Sequence, residues 1–170
     1  MGNTYRYSSE GGSRQFSISC KDFKEGEEIP KNCGYKHGNK QPQIQLRLNP
    51  ENDATAFALI MDDPDAMDAV GKVWVHWLAY RKTWAPYPID FVLRGPSKKN
   101  MPMIEGKNDF GEIGYGGPAP PDKRHTYVFK AYALEDGHEE PKEGYSKQEL
   151  EDLMDGSIIA EVELTGTYAP

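Results

Sequence analysis

The stretch FALIMDDPDAMD, Phe57 to Asp68, changes character half-way along. Phe57 to Met61 is apolar, and a run this short, closed by Asp and Pro, reads as a buried strand; a helix would need about ten residues or more. Asp62, Asp63, Asp65 and Asp68 then crowd into an exit turn, where like charges repel. Pro64 restricts φ and lacks an N–H, which suits the end of a strand. If the chain stays extended here, Asp63 and Asp65 project to the same side, and both are candidate site residues. Asp62 and Asp68 read as turn charges facing solvent. A calcium loop starting at Asp63 would need Gly at its sixth position and Glu at its twelfth. Asp68 and Trp74 stand there, so that reading fails.

Segments of the same kind recur on both sides. Gln15–Cys20, Gln43–Asn49, Ala54–Met61, Val73–Arg81, Thr126–Leu134 and Ser157–Thr165 are rich in β-branched and aromatic residues and bounded by turn formers. With 13 prolines and 17 glycines punctuating 170 residues, long helices have little room. The expectation is a mainly β fold, an antiparallel sandwich of short strands. One helix is well marked. In YSKQELEDLMDG, Ser146 and Glu149 form a capping box, Leu150, Leu153 and Met154 make one apolar stripe, and Gly156 ends it. In the strand that follows, Ile158, Ala160, Val162 and Leu164 share one face, and Glu161 and Glu163 the other. Residues 1–14 read as a flexible leader and 15–170 as one domain without repeats or linkers.

The net charge of −7 argues against a broad nucleic-acid surface, which needs clustered Lys and Arg. No apolar run approaches the roughly 18 residues of a membrane-spanning helix, and the N-terminus lacks the apolar core of a signal peptide. Arg6 stands where a myristoylation motif wants Ser or Thr. Cys20 and Cys33 fit two reduced thiols in a cytoplasmic protein better than a disulfide scaffold.

Two further stretches carry chemistry. In VWVHWLAY, Val73 to Tyr80, alternation puts Trp74, His76 and Leu78 on one face; taken alone, a histidine in so apolar a setting more often serves the core. In GYGGPAPPDKRHTYVFKAYAL, from Gly114, a Gly/Pro loop leads into a strand that places His125, Tyr127 and Phe129 on one face. Two classes of function follow. His125 and Tyr127 would donate to an anion while the carboxylates orient the imidazoles, or accept from an ammonium group on the same ligand. Alternatively, Asp63, Asp65, His76 and His125 would hold a divalent metal that activates water, as in a metal-dependent hydrolase. A third option is a protein-binding module that uses the pocket rim. No nucleophile elbow, phosphate-binding loop or dinucleotide motif occurs, so the expectation is a binding protein without cofactor, not an enzyme.

Read together, DDPDA, WVHW, EGKNDFGEIGYGGPAPP and HTYVFKAYAL, with IPKNCG before them and LTGTY after, resemble the phosphatidylethanolamine-binding protein family, also called the Raf kinase inhibitor protein family. The likeness runs from about Phe16 to the end and is closest to the short bacterial and archaeal members. It implies a Greek-key-like β-sandwich with a peripheral C-terminal helix and a small pocket for phosphate or a phosphoethanolamine head group. It also implies that binding serves regulation of kinases or proteases. By position, Asp63 and Asp65 match the acids of the family's D-P-D-A-P motif, and Trp74 and His76 its W-x-H segment. Pro120 and Pro121 match the pocket-edge prolines, and His125 and Tyr127 the ends of H-R-Y. The chain departs from these patterns at Met67, in place of a proline, at Thr126, in place of an arginine, and in the short Asp122–Arg124 link.

Overall fold

The computed structural model describes residues 3–7, 14–48, 54–83, 89–93 and 103–170. Among them, a four-stranded sheet runs in the order β1 (Asn3–Tyr7), β2 (Arg14–Cys20), β3 (Ile44–Leu48), β6 (Ile89–Leu93). A five-stranded sheet runs β7 (Ile104–Glu105), β5 (Trp74–Lys82), β4 (Ala56–Asp63), β8 (His125–Leu134), β9 (Ile158–Tyr168). Every strand pairing within the two sheets is antiparallel, as expected of the sandwich. Two helices, α1 (Ala66–Val70) and α2 (Lys147–Met154), complete it.

The apolar run that opened the reading is the centre of this arrangement. β4 is the middle strand of the larger sheet and is covered on both faces. Phe57, Leu59 and Met61 enter the core between the sheets with Phe16, Ile18 and Leu46. Ala56, Ala58 and Ile60 pack on the other face with Leu150 and Met154 of α2. A strand covered twice has no polar side to alternate with, so its apolar residues run continuously. α2 has the expected capping box, with Ser146 Oγ accepting from the Glu149 N–H and the Glu149 carboxylate accepting from the Ser146 N–H. Gly156 beyond it has φ of 78°.

Several expectations need correction. Within the range 1–14 read as a flexible leader, Asn3–Tyr7 forms an edge strand on β2; its TYRY sequence is strand-prone. β6 and β7 were not expected, and Asn49, the end of one expected strand, lies outside the described residues. In β9, Ile158 is exposed and Ile159 packs on the core. The cause is a bulge: Ala133 pairs with Ala160 but Leu134 with Ile158, so the alternation slips.

α2 is a stabilising cover whose apolar face packs on Ala56, Ala58 and Ile60 and which meets β4's acidic end only through Lys147 and Asp62. Leu150→Ala is therefore expected to lower stability by about 2–5 kcal/mol in urea unfolding, while the NMR signals of Trp74 and His76 stay in place. A loss below about 1 kcal/mol would contradict this packing.

Candidate functional site

The site lies where β4 runs out. Beyond Asp63 the chain does not stay extended: Asp65 is αR, with φ −70° and ψ −17°, and α1 follows. Both candidate acids still meet β8, through different groups. Asp63 is 3% exposed; its Oδ1 accepts from the Ala66 N–H at 3.1 Å and its Oδ2 lies 2.7 Å from His125 Nδ1. Asp65 Oδ2 accepts from the Thr126 N–H at 2.8 Å and lies outside the cavity lining. One acid thus holds the imidazole and the other holds the strand that carries it. Asp62 is not a solvent charge: it is half-buried and accepts from Lys147 of α2 at 2.8 Å. Asp68 is exposed beside Lys123, as expected.

His76 owes its position to a bulge. Met61 pairs with Trp77 but Asp62 pairs with Val75, leaving His76 with no residue opposite on β4. The slip turns Trp74 and His76 toward β4's Asp63 side, whereas Leu78 packs under α2. Simple alternation, which put all three on one face, is overruled by this extra residue. The glycine-rich loop then clamps His76 twice, since the Gly116 N–H donates to its main-chain carbonyl at 2.8 Å and the Gly116 carbonyl accepts from its Nδ1 at 2.7 Å. A Cβ on Gly116 would come within 2.6 Å of the Phe110 ring, so only glycine permits this approach.

Two asparagines that the sequence reading passed over shape that loop. Asn108 accepts from the N–H groups of Phe110 and Glu112 and donates to the Gly114 carbonyl. Asn39, at φ 49°, accepts from the Gly117 N–H and donates to the Tyr115 carbonyl. They set a wall in which Tyr35 stacks on Phe110, ring centres 3.9 Å apart. An Asn beside a Gly-rich run was the available signal.

The result is a cavity of about 280 Å³ lined by Asp63, Trp74, His76, Phe110, Pro121 and His125, with Lys36 among its further lining residues. Pro120 lines a neighbouring cavity. Tyr127 sits behind the lining, fully buried, its ring 5.1 Å from His76 and 6.4 Å from His125 between centres. Its hydroxyl faces the Asp63 carboxylate and the Ala119 backbone, while Trp74 Nε1 is buried without a hydrogen-bond partner among the described residues. Burial, then the nearby Asp63 carboxylate, pushes the Tyr127 phenol far up, so it stays protonated and able to donate.

The two histidines are tuned in opposite directions. Burial lowers His76, despite the Gly116 carbonyl and the Asp63 charge; it is neutral, protonated on Nδ1, with a free lone pair on Nε2. Burial alone would lower His125 too, but Asp63 and then Asp122, whose Oδ1 lies 2.9 Å from Nε2, outweigh it and raise the imidazole. Both ring nitrogens of His125 are engaged by carboxylates, which leaves no lone pair for a metal. Among the described residues no group of three or more His, Cys, Asp or Glu is placed to hold one. The hydrolase expectation therefore has no support. Cys20 and Cys33 are both free.

The family profile described as Phosphatidylethanolamine-binding protein matches residues 19–169. The chain belongs to that family. It is 35% identical over 153 residues to a UPF0098 protein of Chlamydia trachomatis, covering 89% of this chain and 97% of that one. A crystal structure of a putative phosphatidylethanolamine-binding protein homolog from the same organism superposes with a TM-score of 0.73 at 32% identity, covering 89% of this chain and 95% of that one. YbcL of Escherichia coli, described as a new member of the mammalian family, superposes at 0.75 with 28% identity, covering 90% and 97%. Against the family pattern, Thr126 alternates away from the cavity and Arg124 is spent on Glu28 and Thr167. Met67 is 51% exposed on α1.

The opposed histidines fix the sign of the pH response. His125 binds its proton more tightly when folded, so its share of stability is complete below its ordinary 6.5 and lost as pH rises through the raised value. His76 does the reverse: its share is complete above 6.5 and lost as pH falls through the lowered value. In melting curves from about pH 5 to about pH 8, His125→Gln should flatten the alkaline limb and His76→Gln the acid limb. An alkaline limb unchanged in His125→Gln would refute the assignment.

Proposed function

We propose that the cavity receives a phosphate-like anion, free or as the head group of a phosphoethanolamine-type ligand, and that the protein binds this ligand and does not transform it. The observation that carries the reading is the buried indole N–H of Trp74 in the cavity lining, which has no hydrogen-bond partner among the described residues. A buried donor left unpaired costs about 1–3 kcal/mol, so the site favours a ligand rich in acceptors. Other features support an anion. The His125 imidazole in the lining is raised by its carboxylates, and Lys36 lines the cavity without an ion pair among the described residues. The free Nε2 of His76 accepts a proton from a P–OH, or takes one up as the anion docks. Asp63 and Asp65 are supports, since a carboxylate does not attract phosphate.

Binding without chemistry fits the sequence, which offers no nucleophile motif, and fits imidazoles tied down by carbonyl and carboxylate. By analogy with the family, the bound state serves regulation, with the cavity rim meeting a kinase or a protease. The setting expected from the sequence is cytoplasmic, and among the described residues no helix is long and apolar enough to cross a membrane.

Titration of isotope-labelled protein with phosphate and with phosphoethanolamine tests the reading. Shifts should concentrate at the Trp74 indole, His76, Tyr127 and His125, and Tyr127→Phe or Trp74→Phe should each weaken binding roughly tenfold. Shifts elsewhere, or none at all, would defeat it.

A further inference from the structure

An anion that reaches His125 has to displace a group already there. His125 is fully buried and has two ring nitrogens. Nδ1 is committed to Asp63 at 2.7 Å, deep in the fold. Nε2 is the only nitrogen left for a ligand, and Asp122 Oδ1 occupies it at 2.9 Å. A phosphate oxygen donated to by Nε2–H would sit where that carboxylate oxygen now sits, because one N–H points one way.

The two acids on His125 differ in how firmly they are held. The Asp63 side chain is 4% exposed and its other oxygen is bound by the Ala66 N–H. The Asp122 side chain is 44% exposed, and besides His125 its carboxylate accepts, among the described residues, only from backbone N–H groups of its own turn, Lys123 first. Asp122 stands in the short turn between Pro121 and His125. That turn is tethered on its far side by Lys123 to Asp68 at 3.4 Å and by Arg124 to Glu28 at 3.3 Å. Rotation of one exposed side chain frees Nε2 without moving the turn. Desolvation raises the Asp122 carboxyl, but its hydrogen bonds with His125 and the Lys123 N–H, together with the His125 charge, outweigh this and leave it below the usual range, so the side chain is ionised at neutral pH.

We propose that Asp122 is a built-in competitor for the cavity's anion: its carboxylate stands in for a ligand oxygen on His125 and sets the affinity and selectivity of the site. This inference rests on the anion-binding reading above. A ligand able to bind must replace the carboxylate with an anion at least as good for an imidazolium, which selects phosphate-like groups over weakly basic anions such as chloride. The ligand chemistry shared by free phosphate and a phosphorylated head group is the same at this nitrogen.

The test compares wild type, Asp122→Asn and Asp122→Ala in titrations with inorganic phosphate and with phosphoethanolamine. The exposed position makes both variants compatible with folding. Asp122→Ala should tighten both ligands by roughly five- to tenfold, and Asp122→Asn by less. The wild-type preference between the two ligands identifies which source the site is built for. Without ligand, the His125 pKa followed by NMR should fall in both variants. Equal affinity in wild type and Asp122→Ala, with binding still at Trp74 and Tyr127, would overturn the competitor and leave the anion site standing. No binding in any of the three would overturn both. An unchanged His125 pKa would also overturn the competitor, since the contact would then be absent in solution.

Discussion

A carboxylate taken out of water needs partners for both oxygens, and Asp63 finds them in two different segments. One oxygen takes the first N–H of α1, and the other takes the ring of His125 at the start of β8. Desolvating an acid and an imidazole separately would be costly; joined and hydrogen-bonded, each makes the other's burial tolerable. Asp65 adds a second tie, from the same turn to the Thr126 backbone. The exit of β4, the entry of α1 and the first residues of β8 are thereby locked into one corner. The cavity is the space that this corner leaves beside the β5 bulge.

The bulge and the corner are complementary devices. An uninterrupted β5 would have sent His76 beneath α2 with Leu78. The inserted residue swings it toward Asp63 and offers its ring to a glycine carbonyl. One histidine is then raised by two acids and the other lowered by burial, within one small cavity. Such pairs of titratable groups pushed apart by their surroundings are characteristic of functional sites, and here they accompany a buried indole N–H, that of Trp74, with no partner among the described residues. Asp122 belongs to the same electrostatic logic, because the charge that attracts an anion also attracts the nearest acid.

Much of this was legible in the chain, where local pattern and tertiary structure agree. The continuous run Phe57–Met61 announced a strand covered on both faces, and Ser146 with Glu149 announced α2. The motifs around Asp63, Trp74, His76 and His125 identified the family and brought most of the site together. What stayed hidden depended on pairing. Nothing in VWVHWLAY shows that β5 slips by one residue against β4, so Leu78 was read beside His76. The slip at Ile158 is of the same kind. Asp62 reads as a turn charge until Lys147, far along the chain, is seen beside it. Asp122 reads as part of a surface link until the turn after Pro121 brings it back onto His125. Asn39 and Asn108 work through backbone groups of a loop whose shape they themselves determine, so their place beside glycines hints at a turn but not at what they hold.

The buried Asp63 and the half-exposed Asp122 raise the His125 imidazole, while burial lowers His76 in the same cavity, with its proton on Nδ1. Nitrogen-15 NMR of the imidazole rings at about pH 6.5, the ordinary imidazole value, reads this directly. The account predicts both His125 nitrogens protonated, and for His76 a protonated Nδ1 beside an unprotonated Nε2. A neutral His125, or a His76 with its proton on Nε2, would contradict it.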